Sequence, residues 1–110
     1  MAMYFSMIAN NGEIVLDRIR WLSGDIWSKI LEEKGQELDE KYNEMKFYTD
    51  YHIDIQDIPR IIDYYEKLID GKYDDGYGMI SVIRYKVIPN LKKQIEYQLS
   101  EHRDYIIRWD

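Results

Sequence analysis

The chain of 110 residues is 45% apolar and 33% charged, a globular composition that leads us to expect one domain over residues 1–110. Its 21 acidic and 15 basic residues give a net charge of −6, so no direct contact with nucleic acid is expected. The absence of cysteine excludes a disulfide framework and any site built on a thiolate. The chain has no signal-peptide pattern and no apolar run near the roughly 20 residues that cross a bilayer, so we expect a cytoplasmic protein that contacts no membrane.

The first third of the chain is predicted to contain a strand and two helices. Residues 4–8 form the strand, which ends at the Asn-Asn-Gly turn that follows it. Apolar residues then recur at helical spacing with an interruption at Gly24, which predicts helices over about 14–22 and 25–46. Because two arginines alternate with apolar residues in the first of these helices, a hairpin strand is the alternative there.

The clearest strand covers residues 47–55, where apolar and polar residues alternate with a period of two. Its apolar side chains are expected to face the core of the domain. Asp50, His52 and Asp54 are expected to face solvent from the opposite side of the same strand.

A helix is predicted directly after this strand, and a loop after the helix. Asp57 suits the N-cap of that helix, Pro59 suits its first turn, and Gly71 suits its end. Residues 72–78 contain an Asp-Gly pair and a second glycine, which favour a loop.

The last third is predicted to contain a strand, a helix and a second strand. β-Branched and aromatic residues dominate positions 79–88, which favours a strand, with a helix as the alternative for so short an apolar run. A helix is expected from Pro89 onward, and a short last strand over residues 105–109. These elements predict an α+β fold, a small three- to four-stranded sheet with helices packed on it in a single domain.

Charge is distributed unevenly along the chain. Residues 36–57 carry seven acids and two bases, so one fifth of the chain holds a net charge of −5. Most runs of like-charged residues are simply solvent-exposed surfaces. This concentration of negative charge nevertheless favours a basic protein partner, because complementary electrostatic potentials speed association. Four basic residues lie in a stretch that contains no acid, namely Arg84, Lys86, Lys92 and Lys93. We interpret them as a feature that keeps the protein soluble. Contact with a small anion or with RNA is the alternative.

The sharpest local pattern is Asp50-x-His52-x-Asp54 on the polar face of the predicted strand. Two carboxylates and an imidazole, each about 6–7 Å from the next, would bind a divalent metal if a further ligand joined them. Because such sites usually draw ligands from several elements, we expect no metal here and assign the three residues to partner binding.

The predicted loop after the second helix is a second candidate binding element. Tyr73, Asp74, Asp75 and Tyr77 place two aromatic rings beside two acids there. Tyrosine rings anchor interfaces and carboxylates pair with Arg or Lys, so we assign these four residues to partner binding. An ordinary turn is an equal alternative, because Asp and Gly occur in any turn.

The chain carries no catalytic motif, since it has neither a nucleophile elbow nor a phosphate-binding glycine loop. We therefore expect a non-enzyme without a cofactor. The leading hypothesis is a stoichiometric inhibitor of the toxin-immunity, antitoxin or phage anti-defence type, which sterically blocks a basic, nucleic-acid-acting protein. In element order the chain resembles barstar-type immunity proteins, small α/β inhibitors of nucleases. The alternatives are a small metal-dependent enzyme or sensor that uses Asp50, His52 and Asp54, and a structural or regulatory homodimer.

Overall fold

A computed structural model describes residues 4–20, 26–38, 49–71, 78–97 and 103–109. Four strands form one antiparallel sheet, namely β1 Tyr4–Ala9, β2 Ile14–Arg20, β3 Asp50–Asp54 and β4 Asp104–Trp109. Their order across the sheet is β2-β1-β4-β3, so β2 and β3 are its edge strands. The predicted fold class, a small α+β fold with a three- to four-stranded sheet and packed helices, is confirmed.

The helices pack on one face of this sheet. They are α1 Ile26–Glu33, α2 Ile58–Asp70, α3 Met79–Val82 and α4 Ile88–Glu96. A 3-10 turn over Ile55–Asp57 leads from β3 into α2, and a π-helical turn over Ile83–Val87 joins α3 to α4. Buried side chains of the helices and of one sheet face form a common core. Inside it the Trp27 indole N–H donates to the Tyr65 hydroxyl at 2.7 Å, which ties α1 to α2.

Three of the four strands lie where the sequence predicts strands. β1 and β4 match the predictions to within one residue at each end. β3 is shorter than the predicted strand over 47–55, because Ile55 belongs to the 3-10 turn, and residues 47–48 lie outside the described residues. Tyr51 and Ile53 are buried, and the polar residues of β3 are exposed, as predicted.

The predicted helix over residues 14–22 is wrong, because this stretch is β2, the strand that stood as the alternative. β2 pairs antiparallel with β1, and the register shifts on both sides of Met7. As a result the neighbours Val15 and Leu16 are both buried, together with Ile19. Buried positions at i, i+1 and i+4 imitate the period of a helix, which explains the error.

The predicted strand over residues 79–88 is also wrong, because the stretch is helical from α3 through the π-helical turn. Met79, Ile83 and Val87 are buried at intervals of four residues, which is the spacing of a helix. The stretch packs against α2, and this tertiary contact overrides the strand preference of β-branched residues. Pro89 lies in the first turn of α4, where its missing N–H is tolerated.

The predicted helix over 25–46 is too long, because α1 ends at Glu33. The N–H groups of Gly35 and Gln36 donate to carbonyl groups of the last helical turn, at 2.9 and 3.0 Å. Gly35 has a φ of +75°, so the helix ends in a Schellman motif that requires a left-handed residue. Residues 39–46 lie outside the described residues.

α2 begins and ends close to the predicted positions. Asp57 precedes it, Pro59 lies in its first turn, and Gly71 follows its last residue. The carboxylate of Asp57 accepts a hydrogen bond from the backbone N–H of Asp54 at 2.9 Å, so it closes the 3-10 turn. Residues 72–77, most of the predicted loop, lie outside the described residues.

Candidate functional site

The face of the sheet that points away from the core is the candidate site, and we call it the open face. Its side chains are exposed or half-buried, whereas those of the other face belong to the core. The open face carries Tyr4, Ser6, Ile8, Ile14, Arg20, Asp50, His52, Asp54, Asp104, Ile106 and Arg108. All three residues that the sequence predicts on β3 are therefore present on one surface, together with side chains from the other strands.

A row of apolar side chains crosses the middle of the open face. The strand register pairs Ile14 with Ile8 and Ile8 with Ile106, and we call these three residues the isoleucine row. On β3 the next side chain in line is His52, which is paired with Ile106. Neighbouring strands lie about 4.8 Å apart, so the row with His52 spans about 14 Å. Ile14 is 60% exposed and the other two isoleucines are half-buried, so the row presents apolar surface to solvent.

Three carboxylates lie at the end of β3, and we call Asp54, Asp57 and Asp104 the acidic corner. Asp54 and Asp104 are direct cross-strand neighbours, an arrangement that like charges disfavour. The Lys34 ammonium is shared between Asp54, at 2.6 Å, and Asp57, at 2.8 Å. Asp104 is exposed and forms no ion pair with any other residue in the described ranges. One lysine therefore balances only one of three acids, and the corner is net negative.

Lys34 remains a cation in this corner. Burial acts to lower the pKa of Lys34, but the hydrogen bonds and charges of Asp54 and Asp57 outweigh it, so the pKa lies above its ordinary value. The ammonium group therefore stays charged and holds the two carboxylates in place at neutral pH.

The other end of β3 is electrically balanced. Arg108, the cross-strand neighbour of Asp50, donates from Nε to one carboxylate oxygen at 2.9 Å and from Nη2 to the other at 3.1 Å. These hydrogen bonds hold the pKa of Asp50 below its ordinary value, although partial burial acts in the opposite direction. The Asp50 carboxylate is therefore already paired with Arg108, whereas the acidic corner keeps a net negative charge.

The outer edge of β3 is closed by a side chain. The Gln36 amide donates from Nε2 to the carbonyl of His52 at 2.8 Å, and its Oε1 accepts from the backbone N–H of His52 at 2.8 Å. The amide thus forms the two hydrogen bonds that a neighbouring strand would form at this residue. The Schellman motif at Gly35 sets the position of Gln36, so the end of α1 and the edge of the sheet are directly linked.

The metal hypothesis for Asp50, His52 and Asp54 is not supported by this geometry. Among the described residues, no group of three or more histidine, cysteine or acidic side chains is placed to hold a metal ion. The two carboxylates are directed to different cations, since Asp50 contacts Arg108 and Asp54 contacts Lys34.

The second predicted binding element, Tyr73, Asp74, Asp75 and Tyr77, lies outside the described residues, so its assignment stays a prediction. Of the seven acids in residues 36–57, four are described and three lie outside the described ranges.

Sequence reasoning missed the isoleucine row and Asp104. A signal was present in β4, where Asp104, Ile106 and Arg108 alternate with buried aromatic and apolar residues. The pairing of these residues with β1 and β3 depends on the register between strands far apart in sequence.

Comparison with known proteins gives no relative, because no protein-family model, no curated protein and no solved structure matches this chain. The likeness in element order to barstar-type immunity proteins therefore carries no argument. A search for helices long and apolar enough to span a bilayer finds none within the described residues.

Proposed function

We propose that the protein is a cytoplasmic, non-enzymatic inhibitor that binds a basic, nucleic-acid-acting protein one to one and blocks it sterically. The open face of the sheet is its binding surface. Inhibitors of this type include toxin-immunity proteins, antitoxins and phage anti-defence proteins.

The observation that carries the proposal is the isoleucine row beside the acidic corner. Protein interfaces combine an apolar centre with a polar rim, and both parts are present on this face. The three isoleucines are not part of the hydrophobic core, so burying them in the fold does not account for their presence. Burial of such side chains by a partner contributes about 1.5–3 kcal/mol each when it is complete.

The acidic corner favours a basic partner. Asp54 and Asp104 repel each other across the strand pair, and an Arg or Lys of the partner placed between them would relieve that repulsion. An acidic protein would be repelled at the same place, so the corner also contributes specificity. Steric blocking needs no reactive group, because carboxylates placed in a cationic channel exclude the phosphates that bind there.

A homodimer through the open face is the competing arrangement. It would bury the same isoleucine row, but both copies would present an Asp104 that has no ion pair among the described residues. The acidic corners of two copies carry the same charge and repel each other where they meet, so we place a basic partner ahead of a second copy.

The test compares capture of a partner by the wild type and by three single variants. We expect the wild type to bind one basic protein at one-to-one stoichiometry and to inhibit its action on nucleic acid. Ile106→Ala and Asp104→Lys should each weaken binding and inhibition by about tenfold or more, as loss of interface anchors and complementary charges does. The matched control is Asp63→Asn, an exposed carboxylate on α2 that pairs only within its own helix, with Lys67 at 2.9 Å.

Three results would contradict the proposal. The captured protein could be acidic, the two open-face variants could bind and inhibit as the wild type does, or the chain could associate only with itself. Asp63→Asn should match the wild type, and a loss of binding in that variant would place the interface on α2.

A further inference from the structure

The helical stretch from α3 to α4 presents a surface of the opposite charge, which the proposed function does not use. Four bases are exposed along it, namely Arg84, Lys86, Lys92 and Lys93. The sequence contains no acid between Gly76 and Ile95, so the only carboxylate of the stretch is Glu96, at its last position. We call these four residues with Tyr85 the basic helix face.

An aromatic ring lies among the cations of this face. Tyr85 is 71% exposed, which makes it the more exposed of the two large hydrophobic side chains that are open to solvent in the described ranges. It lies between Arg84 and Lys86 in the π-helical turn. Such turns are rare and occur frequently at functional sites. The ring is therefore exposed to solvent, with a cationic residue on each side of it in the sequence, rather than packed into the fold.

Three of the four cationic side chains form no ion pair within the described residues and can pair with a binding partner. Lys92 pairs with Glu66 at 3.0 Å, whereas Arg84, Lys86 and Lys93 form no ion pair with any residue that the structure describes. Elsewhere in the molecule exposed arginines do pair, as Arg60 does with Glu33. Arg84 and Lys93 are nine positions apart, which corresponds to about 13 Å along the helix axis at the rise of an α-helix, and this length suits an extended anionic chain better than a single ion.

A cavity at the start of this helical stretch also contains arginine side chains. Met79 and Val82, on the first turn of the same stretch, line a cavity of about 250 Å³ together with Tyr4, Arg18 and Arg20. The guanidinium of Arg18 lies over the Tyr4 ring, 5.0 Å from its centroid. An aromatic ring beside arginine thus occurs a second time at the end of the basic helix face.

We propose that the basic helix face binds single-stranded nucleic acid, with a base stacked on Tyr85 and phosphates held by Arg84, Lys86 and Lys93. Exposed aromatic rings among cations are typical of single-strand binding surfaces, because every base has a face that stacks. An acidic peptide would pair with the cations, but its carboxylates would not stack on the exposed Tyr85 ring. This proposal departs from the expectation, based on the net charge of −6, that the chain does not contact nucleic acid. The Debye length is about 8 Å at physiological salt, so the local cations act here more strongly than the net charge.

The test measures the fluorescence anisotropy of a labelled uridine oligomer of about 12 nucleotides, titrated with the full chain at low and at physiological salt. We expect Tyr85→Ala to weaken binding by about tenfold and Tyr85→Phe to bind as the wild type does, because stacking needs the ring and not the hydroxyl. Arg84→Gln and Lys86→Gln should each weaken binding and reduce the salt slope by about one unit. Arg60→Gln is the matched control, since this exposed arginine lies on α2, and it should leave binding unchanged.

Two further competitors separate stacking from charge. Polyglutamate and a duplex of the same length should displace the labelled oligomer poorly. The proposal is overturned if the wild type does not bind at low salt, if Tyr85→Ala binds as tightly as the wild type, or if either competitor displaces the oligomer as well as the unlabelled single strand does. The variants of this test are on the helical stretch and those of the proposed inhibition are on the open face, so the two proposals can fail separately.

Discussion

The two faces of the sheet are built from the same four strands, yet they have different physical roles. On β4 the buried face carries Tyr105, Ile107 and Trp109, whereas the open face carries Asp104, Ile106 and Arg108 in alternation with them. The first set belongs to the core and the second does not. Folding therefore constrains the identity of one set strongly and of the other weakly, which makes the open face the place where a binding specificity can be encoded.

The largest effect is expected from a charge on the buried face of β3. Ile53 is 0% exposed, so Ile53→Asp buries an unpaired carboxylate and should unfold the domain or destabilise it by several kcal/mol, about 3–5. Its neighbour Asp54 is on the open face, and Asp54→Asn loses only an exposed ion pair with Lys34, so it should change stability by about 1 kcal/mol or less. Urea denaturation of the two variants measures both values, and equal stabilities would contradict the assignment of the two faces.

A neighbouring pair of isoleucines on β4 sharpens the comparison without a change of charge. Ile107→Ala leaves a cavity in the core and should cost about 2–5 kcal/mol. Ile106→Ala shortens a half-buried side chain of the open face and should cost clearly less, about 1 kcal/mol or below. Thermal unfolding measures the loss of stability in each variant. A larger loss of stability in Ile106→Ala than in Ile107→Ala would show that the open face is covered.

The edge of β3 gives an intermediate effect. Gln36→Ala removes both hydrogen bonds to the His52 backbone and should cost about 1 kcal/mol, because water replaces part of what is lost. The His52 amide should then exchange its hydrogen faster. An unprotected edge also pairs with other chains, so the variant should self-associate more at high concentration. Gln56→Ala, in the exposed 3-10 turn, is the control. If the His52 amide exchanges at the same rate in the wild type and in both variants, Gln36 does not protect the edge of β3.

The smallest effect concerns the dependence of stability on pH. The pKa of Asp50 is lowered in the folded state by Arg108, so the contribution of this carboxylate is present at neutral pH and is lost as the pH falls through the folded pKa. Asp50→Asn should therefore be slightly less stable than the wild type at pH 7, and the difference should vanish in acid. Stability measured from about pH 7 to pH 2 tests this, and a difference that grows in acid would reverse the sign.

The fold was predictable from the sequence wherever one strand face is buried and the strand is regular. β1, β3 and β4 follow the period of two, and the polar face of β3 was assigned correctly. β2 was not predictable in this way, because register shifts bury two consecutive residues. The stretch from α3 to α4 was not predictable either, because its β-branched residues are held in a helix by packing against α2.

The candidate site was predictable only in part. Asp50, His52 and Asp54 are neighbours in sequence, so one period places them together. The isoleucine row joins residues from three strands, and its assembly requires the register between the first and last segments of the chain. To predict the hydrogen bonds of Gln36 to the edge of β3, one would also need to know the residue at which α1 ends. That residue is determined by Gly35, which has a left-handed conformation.

The most direct test of the account is the kinetics of binding between the captured partner and the chain at two ionic strengths. Asp104→Lys should slow association and flatten its salt dependence, because a rim charge acts on encounter. Ile106→Ala should leave association nearly unchanged and speed dissociation by about tenfold, because an apolar anchor acts after docking. Wild-type rates for both variants, with their folding verified, would contradict the assignment of the open face as the binding surface.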